Sequence, residues 1–245
     1  MSVYKIPTGR DSEFMDVEIP DKNVICHGVP RKMKGINDVK RETKKALENP
    51  IGAPRLSQIA KQDSKVSILV DDITRPTPAH QLLPSIVEEL SAAGVRDDRI
   101  KLVVACGLHR AMTPEEIERK VGSDMVRRFP PICHNGSSES ELTYIGESSR
   151  GTPVWINKQV AGSDVIIGVG GILLHQFAGY GGGAKIILPG ICGRKTVTYN
   201  HNMVNEGGVP GVLENQVRLD MEEIARMVGL SLKVDVVMNA LPENA

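Results

Sequence analysis

Three short, continuous runs of apolar and β-branched residues constrain this chain more than any other feature: KVSILV from Lys65, IKLVVAC from Ile100 and DVIIGVG from Asp164. A run of this kind is the pattern of a strand covered on both faces. Between the first two lies PAHQLLPSIVEELSAAG (78–94), which has apolar residues at helical spacing and a glycine stop, with Pro84 predicting an irregular start. After the second comes TPEEIERKVG, where Thr113 and Glu116 form a capping-box signature. Strand, helix, strand, helix is the grammar of βαβ units. The predicted fold class is therefore α/β, with a mostly parallel Rossmann-like sheet flanked by helices. An amphipathic helix in VLENQVRLDMEEIARMVGL (212–230) and a final strand in LKVDVVMNA (232–240) extend the pattern. Residues 1–35 read as a short β-containing preamble, with extended stretches in FMDVEI (14–19) and NVICHGV (23–29). A helix in INDVKRETKKALENP (36–50) and a Gly-Ala-Pro break at 52–54 follow.

Composition narrows the classes of partner. Across 245 residues, 30 Lys and Arg balance 30 Asp and Glu, so the overall field gives no electrostatic case for nucleic acid or an acidic membrane surface. Aromatic residues are 3%, which leaves few platforms for stacking bases or sugars. The N-terminus has no basic-then-apolar signal pattern and no apolar run approaches a membrane span, which predicts a cytoplasmic protein. Cys26, Cys106, Cys133 and Cys192 are far apart, so they read as reduced thiols with no zinc or disulfide framework. At 245 residues with 40% hydrophobic content the chain has ample core for one large α/β domain or two small ones. It stops at PENA soon after a strand, the expectation for one domain of a longer protein.

The polar residues that could carry chemistry follow the strands. KVSILV runs into DDITRPTP, IKLVVAC into GLHRAMTP, and DVIIGVG into GILLHQFAGYGGGAK. Loops that follow parallel strands emerge together on the carboxyl edge, where doubly wound folds bind ligands. Asp72, Arg75, His109, His175 and Lys185 are thus predicted to converge. Each has a structural alternative: Asp71 and Asp72 as turn formers or helix caps, Arg75 in an ion pair, either histidine in the core. Two histidines at equivalent places on one sheet edge nonetheless suit proton removal on one face of a substrate and return on the other. His27, His80 and His134 lack this context and read as structural or surface residues.

The stretch HQFAGYGGGAKIILPG (175–190) is not a P-loop, since Ala184 precedes Lys185 and Ile186 follows it. As a dinucleotide fingerprint, Gly179, Gly181 and Ala184 satisfy G-x-G-x-x-A, but no clear strand leads into them and the acidic residue downstream is at best Glu206. Glycines can aim backbone N–H groups at an anion, and a lysine beside them adds charge or a nucleophile. His201, in a predicted short helix from Arg194, has no neighbours that complete a standard protein metal site.

Taken together, DDITRP (71–76), GLHR (107–110), the H-x-F-x-G-x-G-G-G-x-K-x-x-L-P-G stretch from His175 to Gly190 and the Asn-His pair at 200–201 resemble the nickel-dependent lactate racemases and related 2-hydroxy-acid racemases and epimerases. The resemblance implies a nickel-pincer nucleotide, a pyridinium mononucleotide with a thioamide and a thiocarboxylic acid that hold nickel. It matches Lys185 to the residue that tethers the cofactor and His201 to the protein's single nickel ligand. His109 and His175 match the paired acid/base groups, one taking the hydroxyl proton of a 2-hydroxy acid while hydride leaves C2 for the cofactor. Arg75 matches a substrate-carboxylate contact and Asp72 its neighbour, while Gly181, Gly182 and Gly183 are expected near the cofactor phosphate. Family members are longer, so the resemblance also implies a C-terminal domain of the same enzyme, together with cofactor-maturation enzymes as partners. The alternatives are a nucleotide- or phosphate-binding domain without catalysis, and a phosphate-handling transferase.

Overall fold

A computed structural model describes residues 1–8, 13–28 and 33–238. The described residues fall into two compact units, one within Met1–Ile36 and the other Asn37–Met238. In the first, β1 (Ser2–Pro7) and β2 (Phe14–Ile19) form an antiparallel hairpin with Ser2 opposite Ile19. The predicted extended stretch at 23–29 is not a strand: Asp21–Asn23 is a 3₁₀ turn, the following described residues are irregular, and Val29 lies outside the described residues.

In the second unit the chain runs through α1 (Val39–Glu48), α2 (Leu56–Ile59), β3 (Val66–Asp71), α3 (Ala79–Ala92), β4 (Ile100–Ala105), α4 (Pro114–Val121), α5 (Ser123–Arg128) and β5 (Ile132–Cys133). Next come β6 (Leu142–Glu147), β7 (Pro153–Asn157), β8 (Val165–Ile172), β9 (Leu174–His175), β10 (Gly179–Tyr180), α6 (Arg194–Asn202), α7 (Gln216–Val228) and β11 (Leu230–Val237). The last strand starts two residues before its predicted range, and Asn239, Ala240 and the PENA tail lie outside the described residues. The antiparallel hairpins β6–β7 and β9–β10 interrupt the βαβ rhythm without joining the main sheet.

That sheet has five strands in the order β11-β8-β3-β4-β5, every neighbouring pair parallel. Winding starts at β3, moves one way through β4 and β5, then resumes on the other side of β3 with β8 and β11. The reversal lies between β3 and β8, and a crevice opens beyond their carboxyl ends, as in doubly wound folds generally. Side-chain alternation explains the continuous apolar runs. Val66, Ile68 and Val70 join a core with Leu82, Leu83, Ile86 and Leu90 of α3, while Leu69, Val103 and Ile166 face a second core with Ile187, Val217, Met221 and Ile224. Both faces are covered, so β3, β4 and β8 are buried over most of their length, with Lys101 exposed and Asp71, Gly171 and Ile172 opening to the carboxyl edge.

Local signals behave as their chemistry requires. Asp38 caps α1 by accepting from Arg41 N at 2.9 Å, and Thr113 and Glu116 complete both hydrogen bonds of the capping box on α4. Pro84 lies inside α3, whose N-cap residue Pro78 makes no side-chain cap, so the start lacks the usual closure. Among the described residues no helix is long and apolar enough to cross a membrane. Leu83 is fully buried between α3 and the sheet. Leu83→Ala is expected to lower unfolding stability by about 2–5 kcal/mol, read from urea midpoints at unchanged slope.

Candidate functional site

A cavity of about 270 Å³ lies at the carboxyl edge of the sheet, in the crevice between β3 and β8. Asp72, Arg75, His109, Gly181, Gly182, Lys185 and His201 all line it. His175 and Gly183 are not among its lining residues, although His175 stands near enough for the charges of Lys185, Arg75 and His201 to act on its ring.

The loop after β3 holds Asp72, which is buried and accepts from Thr74 N at 2.9 Å and Thr74 Oγ1 at 2.5 Å through Oδ1. That local turn is the structural alternative read from the sequence, and it coexists with a longer-range role. Asp72 Oδ2 lies 2.5 Å from His109 Nδ1 in the loop after β4. Burial pushes the Asp72 carboxyl up, but the hydrogen bonds from Thr74 and His109 outweigh it, and the pKa is held below the ordinary carboxylate value. An ionised Asp72 makes His109 Nδ1 the donor and leaves Nε2 as the free ring nitrogen. Arg75, partly exposed, has no carboxylate partner among the described residues; its Nη1 reaches only Thr74, at 3.1 Å to Oγ1 and 3.4 Å to the carbonyl. Asp71 is neither a helix cap nor a free turn residue. It pairs with Lys120 Nζ of α4 at 2.6 Å and accepts from Thr77 Oγ1 at 2.5 Å.

His175 is ordered the opposite way. Its Nδ1 accepts from Phe177 N at 3.1 Å and Ala178 N at 3.2 Å, so the proton of the neutral ring sits on Nε2. Burial, then the charges of Lys185, Arg75 and His201, lower its pKa to about 4. The ring of Phe177 packs edge-on against both His175, at 5.8 Å, and His201, at 6.0 Å, tying together two residues that are 26 positions apart (201 − 175).

Lys185 lies in a single 3₁₀ turn, Gly183–Ile186. Burial first, then Arg75 and Arg218, bring its pKa down to about 8, and no carboxylate pairs with it among the described residues. The glycines of this stretch serve shape more than anion capture. Gly179 has φ +73°, and a Cβ there would meet Val212 O at 2.1 Å; Gly182 has φ +72°. The N–H of Gly181 donates to Leu173 O at 2.6 Å and that of Gly183 to Asp235 Oδ2 at 2.8 Å, so two of the three amides expected near a phosphate already have internal acceptors. Under the turn, Gly168 of β8 leaves room for Ile186: a Cβ there would come within 2.8 Å of its Cγ2.

His201 is on α6, as the short-helix reading predicted. The preceding residue, Asn200, is fully buried and donates to Val217 O at 3.0 Å and Asp220 Oδ2 at 2.8 Å. Asp220 also accepts from Ser148 and Thr152, at 2.6 and 2.9 Å, so α6, α7 and the turn between β6 and β7 are locked together beside the site. His201 Nδ1 is buried and makes no hydrogen bond of good geometry; burial, then the charge of Lys185, lowers its pKa against a smaller opposing contribution from the backbone of Val197.

The other histidines match their structural reading: His134 is buried between Cys192 O and Asn157, His80 is exposed, and His27 packs edge-on against Tyr4. All four cysteines are free. Sequence reasoning missed Lys233, Asp235 and Cys106. Lys233 and Cys106 line the cavity, and Asp235 holds Lys233 at 2.5 Å. The available signal was the pair of charges two apart in LKVDVVMNA, which places both on one face of an otherwise apolar strand.

These features define a class: an α/β domain with a cavity at the switch point of a doubly wound parallel sheet, lined by a carboxylate-held histidine and an unpaired lysine, with an oppositely ordered histidine beside it. Residues 11–208 match the lactate racemase N-terminal domain, and the chain belongs to that family. It is 32% identical over 235 residues to the lactate racemase of Lactiplantibacillus plantarum, covering 94% of this chain and 55% of that one. It is likewise 32% identical over 248 residues to the lactate racemase of Thermoanaerobacterium thermosaccharolyticum, covering 98% and 57%. The chain thus spans about half the length of these relatives. The lactate racemase apoprotein structure from T. thermosaccharolyticum superposes with a TM-score of 0.84 at 30% identity, over 97% of this chain and 56% of that one. A crystal structure of a Thermotoga maritima protein shares the fold, with a TM-score of 0.66 at 23% identity over 84% and 51% of the two chains.

The buried, unpaired Lys185 generates a prediction. Its folded pKa of about 8 lies below the ordinary 10.5, so between these values the unfolded chain binds more protons and stability rises with pH. Lys185→Met is expected to be more stable than the parent at pH 7. The advantage should shrink from pH 8 upward and be gone above pH 10.5, as read from paired urea titrations.

Proposed function

We propose that this chain is the cofactor-binding and catalytic domain of a cytoplasmic 2-hydroxy-acid racemase or epimerase acting on a lactate-like substrate. The observation that carries the reading is the grouping in and beside one cavity of Lys185, the Asp72-held His109, the oppositely ordered His175 and the unpartnered nitrogen of His201. The cofactor is a nickel-pincer nucleotide, with Lys185 as the tether and His201 as the protein's nickel ligand. The residues fit such a group. Lys185 has a depressed pKa and no internal partner, which suits a nucleophilic amine. Among the described residues no cluster of three His, Cys, Asp or Glu could hold a metal by itself, so His201 would supply one ligand to an ion otherwise held by the cofactor. When bound, the cofactor supplies a reversible hydride acceptor beside C2 of the substrate. Gly181, Gly182 and Gly183 shape the backbone around the tether and would border the cofactor phosphate.

The protein's own groups handle the proton and the carboxylate. Arg75, lacking an internal acid, binds the substrate carboxylate, for which its planar fork is suited. His109 takes the hydroxyl proton through Nε2, because Asp72 fixes Nδ1 as a donor and stabilises the imidazolium that forms. His175 directs its Nε2 side to the same oxygen, and its return of a proton from the other side runs through the imidazolium, whose Nδ1–H requires release of the Phe177 and Ala178 amides. Its pKa is low first because of burial and then because of the Lys185 charge, and a tethered, uncharged Lys185 would no longer supply that second contribution. Two bases around one planar centre make racemisation a consequence of symmetry. A C-terminal domain of the same enzyme closes the site, and maturation enzymes load the cofactor.

The test is intact mass, nickel content and peptide mapping of the full-length protein from a host that matures the cofactor. A nucleotide-sized adduct on Lys185 with bound nickel is expected. His109→Ala and His175→Ala should each keep the adduct and lose isomerisation by at least about 10²-fold. Unmodified Lys185 without nickel, in cells that load another protein of the family, would sink the proposal.

A further inference from the structure

The turn that carries Lys185 is held by a carboxylate from the last strand. Gly183 opens the turn, and its N–H donates to Asp235 Oδ2 at 2.8 Å. The other oxygen, Oδ1, lies 2.5 Å from Lys233 Nζ, so both oxygens of the carboxylate are engaged. The approach is close: a Cβ on Gly182 would sit 3.0 Å from Asp235 Oδ2. Lys233 in turn lies along the strand beside it, where Gly168 and Gly170 leave space; Cβ atoms there would come within 2.6 Å of its Cδ and 2.8 Å of its Nζ. Arg218 of α7 holds the preceding part of the loop by donating to Tyr180 O at 3.1 Å, and is itself kept in place by Glu222 at 2.8 Å.

We propose that Asp235 is a positioning residue of the site: its carboxylate fixes the first amide of the Lys185 turn and thereby sets the direction of the lysine side chain. The physical need is plain. One turn of helix has almost no stability of its own, and three consecutive glycines allow the backbone more conformations than any other sequence. A charge-assisted hydrogen bond from a rigid, paired strand selects one of them. Lys233 keeps the carboxylate oriented, which gives the otherwise unexplained charge pair of β11 a use. The inference rests on the reading of Lys185 as the cofactor tether, and its test has one arm that does not need the cofactor.

In the unloaded chain, Asp235→Ala is expected to speed amide exchange of Gly183 by about tenfold, the size of one such bond, with the β3 and β8 amides unchanged. In the full-length protein from a cofactor-maturing host, the same change should cut the Lys185 adduct by about tenfold, read by intact mass. Asp235→Asn keeps the volume and an acceptor; it should retain Gly183 protection and adduct within about threefold, and stands in if the alanine variant does not fold. Unchanged Gly183 exchange in Asp235→Ala overturns the clamp, as does rapid exchange with a full adduct. An asparagine variant that keeps Gly183 protection but loses the adduct also overturns it. If the parent protein carries no adduct, the cofactor reading fails, while the exchange arm still decides whether Asp235 orders the turn.

Discussion

A parallel sheet covered on both faces leaves nowhere for polar side chains except its ends, and the rest of this structure follows from that constraint. Val66, Ile68 and Val70 point into one core and Leu69 into the other, so Ser67 is tolerated only by pairing with Ser163 at 2.7 Å, and the first β3 residues able to reach the edge are Asp71 and Asp72. The same holds after Ala105 of β4 and Ile172 of β8. Because the strands run in one direction, these three chain exits share an edge, and because winding reverses between β3 and β8, they surround a crevice. The site is thus a by-product of how the hydrophobic runs are buried, and its residues arrive from stretches far apart in sequence.

Charge arrangement in the crevice is selective. Each acid is assigned to an internal partner: Asp71 to Lys120, Asp72 to His109 and Thr74, Asp235 to Lys233 and Gly183. Arg75 and Lys185 have no such assignment among the described residues, so positive charge remains uncompensated where the cavity opens. In a partly desolvated site this favours an anionic ligand, and it adds to burial, the larger cause, in lowering the pKa values of His175 and His201. His109 and His175 are ordered by different means. His109 is held by a carboxylate and His175 by backbone amides, so they begin with opposite ring nitrogens protonated.

Much of this was legible without coordinates. The buried runs announced β3, β4 and β8, the Thr113–Glu116 pair announced the start of α4, and strand polarity alone grouped Asp72, Arg75, His109 and Lys185. The hairpins β6–β7 and β9–β10 were not legible, since two- to six-residue strands that pair locally carry too little periodicity to stand out. The sequence of 181–183 suggests amides aimed at an anion, whereas Gly181 and Gly183 direct theirs to Leu173 and Asp235. That difference arises because the acceptor on Gly183 lies 52 residues downstream, beyond the reach of any local pattern.

The sequence by itself determined which segments are strands, which edge carries the polar loops and, through the motifs from DDITRP to the Asn-His pair, the family. Those properties depend on local spacing and on the sign of strand direction, both of which are written in the order of residues. Tertiary structure alone decided how each functional group is held: the tautomers of His109 and His175, the lone nitrogen of His201, the Phe177 ring between two histidines, and the carboxylate of Asp235 under the lysine turn. Each of these is a contact between elements brought together by burial, and a hydrogen bond or a shifted pKa depends on distances that exist only after the cores have packed.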